Sequence, residues 1–180
     1  MDVFSHGLWS GAAAKAANIK FKTKFRIKWA VFWGILPDLL GFGILFVVMF
    51  FSQMIGKPIM PFSHPENMEP AIMNGHWVFI ATNLLYNISH SLFIFALVFA
   101  LSCLWLKKPI WEMSAWLLHI LIDIPTHSYQ FYPTPFLWPF SGYKFNGFAW
   151  GNKWFMIINY SLIIIAYLLL YFYQRKKNKL

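Results

Sequence analysis

Residues 29–55 read WAVFWGILPDLLGFGILFVVMFFSQMI, a run of 27 residues in which Asp38 is the one charged group. A bilayer hydrocarbon core about 30 Å thick is crossed by about 20 residues of helix, so the run is long enough to span. A helix that is apolar on every side belongs in a membrane or in the core of a large protein. This chain has only 180 residues, too few for such a core. Pro37-Asp38 interrupts the run and reads as a break within the helix.

Working outward, three further apolar stretches appear. Trp77–Leu106 contains Asn83, Asn87 and His90. Ile110–Ile124 is short and stops at Pro125, reaching spanning length only if it continues into Thr126–Phe131. Trp154–Tyr173 carries no charge at all. Composition agrees: 59% of residues are hydrophobic, 21% aromatic and 12% charged, where a soluble domain has about 25% charged residues. So little charge excludes an ordinary soluble surface, and so much apolar content excludes a disordered chain. The fold class expected is all-α: an integral membrane bundle of about four transmembrane helices, plus an N-terminal small-residue helix, interfacial or re-entrant, over Val3–Ile19. The organisation expected is one membrane domain over 1–180. Residues 1–28 form the N-terminal helix and basic segment, 29–173 the bundle and 174–180 a basic tail.

Fifteen Lys and Arg against six Asp and Glu give a net charge of +9. The basic residues flank the apolar runs instead of lining a solvated face, which argues against nucleic acid as a partner. Twelve of them fall in residues 1–28, at Lys107-Lys108 and in the tail; only Lys57, Lys144 and Lys153 fall in the other loops. The positive-inside bias then predicts four crossings of the inner (cytoplasmic) membrane with both termini in the cytoplasm. The Pro-rich Lys57–His76 connection reads as an irregular extracytoplasmic loop. Early Asp2 and His6 speak against a cleaved signal peptide. The lone Cys103 excludes an intramolecular disulfide and a Cys-rich metal site.

The residues that hydrophobicity does not explain are Asp38, His90, His119 and Asp123. An ionisable group within a span costs about 2.5–3.5 kcal/mol on insertion scales and normally faces a partner inside the bundle. At about 1.5 Å per helical residue, Asp38 lies roughly 15 Å from Lys28, His119 and Asp123 roughly 16 and 22 Å from Lys108, and His90 about 25 Å from Lys107. All four depths fall in the middle to outer part of the bilayer, so the groups can meet. His119 and Asp123 stand one helical turn apart, the spacing that lets one helix clamp a cation. With Asp38, His90, His127 and an extra His6, they form a set of imidazoles and carboxylates without sulfur. Such a set suits zinc, with manganese or iron as alternatives. His127 lies on the same stripe; for it and for His6 the competing reading is an interfacial position, where an unliganded imidazole is cheap. Asn83 and Asn87 read as helix–helix hydrogen bonding, and Glu112 as a surface residue beside Lys108.

Several short motifs occur in one order: Asp2-Val3-Phe4-Ser5-His6, Gly34-Ile35-Leu36-Pro37-Asp38, Ile88-Ser89-His90-Ser91, His119-Ile120-Leu121-Ile122-Asp123-Ile124-Pro125-Thr126 and Phe136-Leu137-Trp138-Pro139-Phe140-Ser141. In these the chain resembles the YdjM-type family of inner-membrane, metal-dependent hydrolases. The chain departs from that pattern at Leu40, where the family has a second acid, at Leu85 and Tyr86, where it has a His-Arg pair, and at Ser89, where it has Thr. The resemblance implies a divalent metal held by His6, Asp38, His90, His119 and Asp123, with Asp38, His90 and Asp123 catalytic. The activity expected is hydrolysis of a phosphoester or ester of a lipid-like substrate by a metal-activated water, with the lipid bilayer as the other partner. The competing readings are a non-catalytic protein that binds or transports an ion or proton, and a degenerate member of the same family.

Overall fold

A computed structural model describes residues 1–57, 59 and 77–177; the expected Lys57–His76 loop therefore lies almost wholly outside the described residues. Among the described residues six α-helices follow one another: α1 (Val3–Phe21), α2 (Ile27–Met54), α3 (Trp77–Ser89), α4 (Leu92–Leu106), α5 (Ser114–Thr126) and α6 (Lys153–Lys177). A single 3-10 turn, Trp111–Met113, leads into α5, and among the described residues there is no strand. Two helices, α2 and α6, are long and apolar enough to cross a membrane, each with a mean hydropathy of 2.2 over its best window. The bent pair α3–α4 is a third candidate.

Three expectations need correction. First, Pro37 does not break α2, which runs through it for 28 residues. A proline costs a helix one ladder hydrogen bond, here the one to the Trp33 carbonyl, and the 28-residue helix continues through that loss. Second, Trp77–Leu106 is not one straight span. It bends by 62° between α3 and α4, because Ser91 leaves the helix and caps α4, accepting from Ile94 N at 3.2 Å. The backbone freed at the bend finds other partners, with Trp116 Nε1 donating to the Ser89 carbonyl at 2.7 Å and Leu92 N to the Phe136 carbonyl at 3.1 Å. Third, α5 does not continue to Phe131. It stops at Thr126, where His127 turns extended at φ −110° and ψ 148°, so at 13 residues it is too short to cross alone.

The small residues of α1 serve packing. A Cβ at Gly34 of α2 would lie 2.1 Å from Ser10 Oγ, so the two backbones approach as closely as they do only because Gly34 lacks one. Asp2 caps α1 by accepting from Ser5 N at 3.0 Å and also accepts from the Tyr160 hydroxyl of α6 at 2.9 Å. Asn159 ties the same turn, donating to Ser5 Oγ at 2.7 Å and accepting from Trp9 Nε1 at 2.9 Å. Helix α1 is thus held lengthwise between α2 and α6 as an inner element of the bundle. Only Asn159 and Ile163 of α6 are buried, while Ile158, Ile164 and Leu169 lie open as lipid-facing side chains do.

The basic segments gather at one end. Lys177 Nζ donates to the Ile19 carbonyl at 3.3 Å, and Arg26 Nε to Glu112 Oε1 at 3.2 Å. Burial pushes the Glu112 carboxyl up, but hydrogen bonds from its own backbone and from Arg26 outweigh it and hold the group below its ordinary value. Met1 does not share this end. It stands at the opposite terminus of α1, 4% exposed, with its amino group inside the bundle against Asp123.

Candidate metal centre

Three elements bring four residues together where α3 bends into α4. Helix α2 brings Asp38, the bend brings His90, and α5 brings His119 and Asp123; each is at most 2% exposed. One donor atom from each of these four residues lies within 4.8 Å of the others. His90 Nε2 is 3.0 Å from His119 Nε2, 3.4 Å from Asp123 Oδ2 and 3.5 Å from Asp38 Oδ1. His119 Nε2 is 3.1 Å from Asp123 Oδ2 and 3.7 Å from Asp38 Oδ1. Four donors tetrahedrally placed about 2.0–2.2 Å from a cation stand about 3.3–3.6 Å apart. The observed separations bracket that range.

The orientation of each ring is set from behind. His119 Nδ1 faces the Gly34 carbonyl, which can only accept, so Nδ1 carries the hydrogen and Nε2 is left with its lone pair. His90 Nδ1 faces the Tyr86 carbonyl at 3.2 Å and Ser89 Oγ at 2.9 Å. The Ser89 hydroxyl itself donates to the same carbonyl at 3.4 Å, so Nδ1 is again the donor and Nε2 again points inward. Carbonyl-to-imidazole bonds of this kind orient metal-binding histidines and fix their tautomer. With both Nδ1 atoms turned outward, the two Nε2 atoms stand 3.0 Å apart, a separation that a shared proton or a cation between them holds. Asp38 Oδ2 is buried and, among the described residues, has no hydrogen-bond partner.

All five residues expected to bind metal meet here. His6, from α1, stacks its ring on His119 at 3.6 Å and places Nε2 2.8 Å from Asp123 Oδ1. Two further participants lie outside those five. His127 comes to 3.4 Å from Asp123 Oδ1, brought in by the extended residue after α5. Tyr86 stacks on the His90 ring at 3.8 Å and donates to the Tyr132 carbonyl at 3.0 Å. The i, i+4 step from Asp123 marks His127 in the sequence, whereas Tyr86 stands out there only as the residue in place of the family's Arg. Asn83 and Asn87 do not tie helices through their carbonyl oxygens, which have no hydrogen-bond partner among the described residues. Leu40 is 45% exposed on α2. It points away from the cluster, so an acid at that position would not complete it.

The segment after α5 is pinned by a strap. Gly147 N donates to the His127 carbonyl at 2.8 Å, Phe148 N to Pro125 at 2.9 Å and Trp150 N to Thr126 at 3.2 Å. A Cβ at Gly147 would stand 2.3 Å from the Pro125 carbonyl oxygen, so only glycine permits this approach. Beside His127 a cleft of 350 Å³ opens between Ser128, Gln130, Phe131, Ala149, Trp150 and Gly151. In the same loop Lys144 is half-buried, and burial pushes its amine down to about 8.

An all-helical chain with long apolar helices and a buried Asp/His/His/Asp group able to hold a metal ion defines a class, membrane proteins with an internal candidate metal site. Within that class, the profile of the YdjM inner membrane protein family matches residues 1–179, and the chain belongs to that family. No curated protein and no solved structure matches it significantly.

Proposed function

We propose that the protein is a metal-dependent hydrolase of the inner membrane, acting on a phosphoester or ester of a lipid-like substrate. Asp38, His90, His119 and Asp123 hold the cation, zinc by preference for a nitrogen and oxygen set, with manganese or iron as alternatives. The observation that carries this reading is the pair of imidazole Nε2 atoms 3.0 Å apart, each turned inward by a carbonyl behind it. When bound, such a cation lowers the pKa of a coordinated water and polarises the scissile group. Asp38 then serves as general base: Oδ1 faces the imidazoles while the unpartnered Oδ2 is free to take the proton of the attacking water. His90 and Asp123 complete the catalytic group by fixing that geometry.

The chain on this reading is a single membrane domain crossing four times, with the basic end in the cytoplasm. Contacts of Lys177 with Ile19 and of Arg26 with Glu112 support that end being common to the basic segments. The third crossing begins with α5 and is completed by the strapped segment beyond it. Non-helical backbone is tolerated at membrane depth when its polar groups are met by protein, as the strap meets them.

The test is turnover of phosphodiester and carboxyl-ester lipid analogues by purified protein. The expected result is activity abolished by EDTA and restored by zinc or manganese, with Asp38→Asn lowering both kcat and metal content and His119→Ala losing the metal. Full turnover by metal-stripped wild type would falsify the hydrolase assignment. Ion flux in liposomes without turnover would replace it with the transport reading.

A further inference from the structure

Asp123 presents only Oδ2 to the four-residue cluster. Its Oδ1 turns the other way, toward His6 Nε2 at 2.8 Å, His127 Nε2 at 3.4 Å and the Met1 amino nitrogen. His127 is also oriented from behind. Its Nδ1 lies 2.9 Å from the Tyr132 carbonyl, which can only accept, so Nε2 presents a lone pair toward Oδ1. The Met1 ammonium is 2.8 Å from that lone pair and also touches Oδ1, so a positive charge already stands between the two. His6 supplies an independent sign. It is 1% exposed, yet neither ring nitrogen makes a hydrogen bond among the described residues. Its approach to Oδ1 is close without having hydrogen-bond direction. A buried imidazole left unsatisfied is costly, and such groups call for an ion or water.

We propose that His6, His127 and Asp123 Oδ1 hold a second divalent cation, that Asp123 bridges the two ions, and that the second ion takes the position of the Met1 ammonium, which it displaces from Asp123 Oδ1 and His127 Nε2. The donors are again nitrogen and oxygen, which selects zinc, manganese or iron. This rests on the reading that Asp38, His90, His119 and Asp123 hold the first ion, and it narrows the substrate. Paired cations clamp the attacking and leaving oxygens of a displacement at phosphorus, so the class favoured is the phosphoester.

The test uses the full chain in detergent, stripped of metal, reloaded with Mn²⁺ and freed of excess. Metal per chain is counted, and the electron paramagnetic resonance spectrum is recorded. The expected result is two ions per wild-type chain with an exchange-coupled spectrum, and one ion with an isolated-ion spectrum in both His6→Ala and His127→Ala. The two variants lie on different segments, so misfolding of one leaves the other to decide. One uncoupled ion per wild-type chain, or two ions retained in either variant, overturns the second site and leaves the first standing. No ion in the wild type overturns both.

Discussion

Gly34→Ala puts the relation between helix packing and the metal site under direct strain. The added methyl would stand 2.1 Å from Ser10 Oγ and 2.6 Å from Ser10 Cβ. Rotating the hydroxyl relieves the first contact. The second is relieved only if α1 retreats by about 0.8 Å toward an ordinary 3.4 Å contact, an overpacking that typically costs 1–3 kcal/mol. His6 lies one turn from Ser10 on the same helix and moves with it, whereas metal ligands must be placed within about 0.2 Å. The Gly34 carbonyl, and with it the hold on His119, is untouched. We therefore expect a lower Tm in detergent and loss of the His6-dependent ion, with the Asp38/His90/His119/Asp123 ion retained. Gly43→Ala on the same helix is the control, because nothing lies within 4 Å of its Cβ; it should be neutral or gain up to about 1 kcal/mol of helix propensity. Thermal unfolding and metal counting check both variants. If Gly34→Ala matches Gly43→Ala in stability and metal content, the close α1–α2 approach does not position the site.

The other predictions concern groups around the centre. Trp116→Phe removes the donor to the Ser89 carbonyl at the helix bend, leaving a buried acceptor unpaired at a cost of about 1–3 kcal/mol; a Tm equal to wild type would contradict this. Tyr86→Phe removes the hydroxyl that bonds the Tyr132 carbonyl and lies 3.3 Å from His127 Nδ1. It should weaken binding of the second ion about 10–100-fold, as loss of an outer-shell partner does, and competition with a metal indicator reads the change. Lys144 is held to about 8 by burial, so the folded chain binds fewer protons than the unfolded one between about 8 and the ordinary lysine value of 10.5. Stability should therefore rise with pH across that window in the wild type and stay flat in Lys144→Met, as read by melting curves.

Much of the centre is legible in the chain because its signals are chemical and local. Asp38 and His90 are visible as charges that hydrocarbon would reject, and the i, i+4 step of His119 and Asp123 is enough to place both on one helical face. What the chain hides is set at a distance. The bend at Ser91 is a capping event within an unbroken apolar run, and its stability depends on Trp116 and Phe136, which come far later in sequence. The end of α5 at Thr126 is held by the strap around Gly147, so the reach of the third segment could not be judged from Pro125 alone. Pro37 misleads in the opposite sense: a residue that breaks helices in water is carried here within a continuous helix. The small-residue pattern of α1 is clear, but its consequence, bringing His6 and Met1 against Asp123, appears only once Gly34 is seen to lie under Ser10.

The central claim, that a cation joins the inward-facing nitrogens of His90 and His119, is tested most directly by X-ray absorption at the zinc edge of zinc-loaded protein. The account predicts nitrogen and oxygen neighbours at about 2.0–2.2 Å, an imidazole scattering signature and no sulfur, with the imidazole contribution reduced in His119→Ala. Zinc that is absent, ligated by sulfur, or unchanged in its surroundings by that substitution would contradict it.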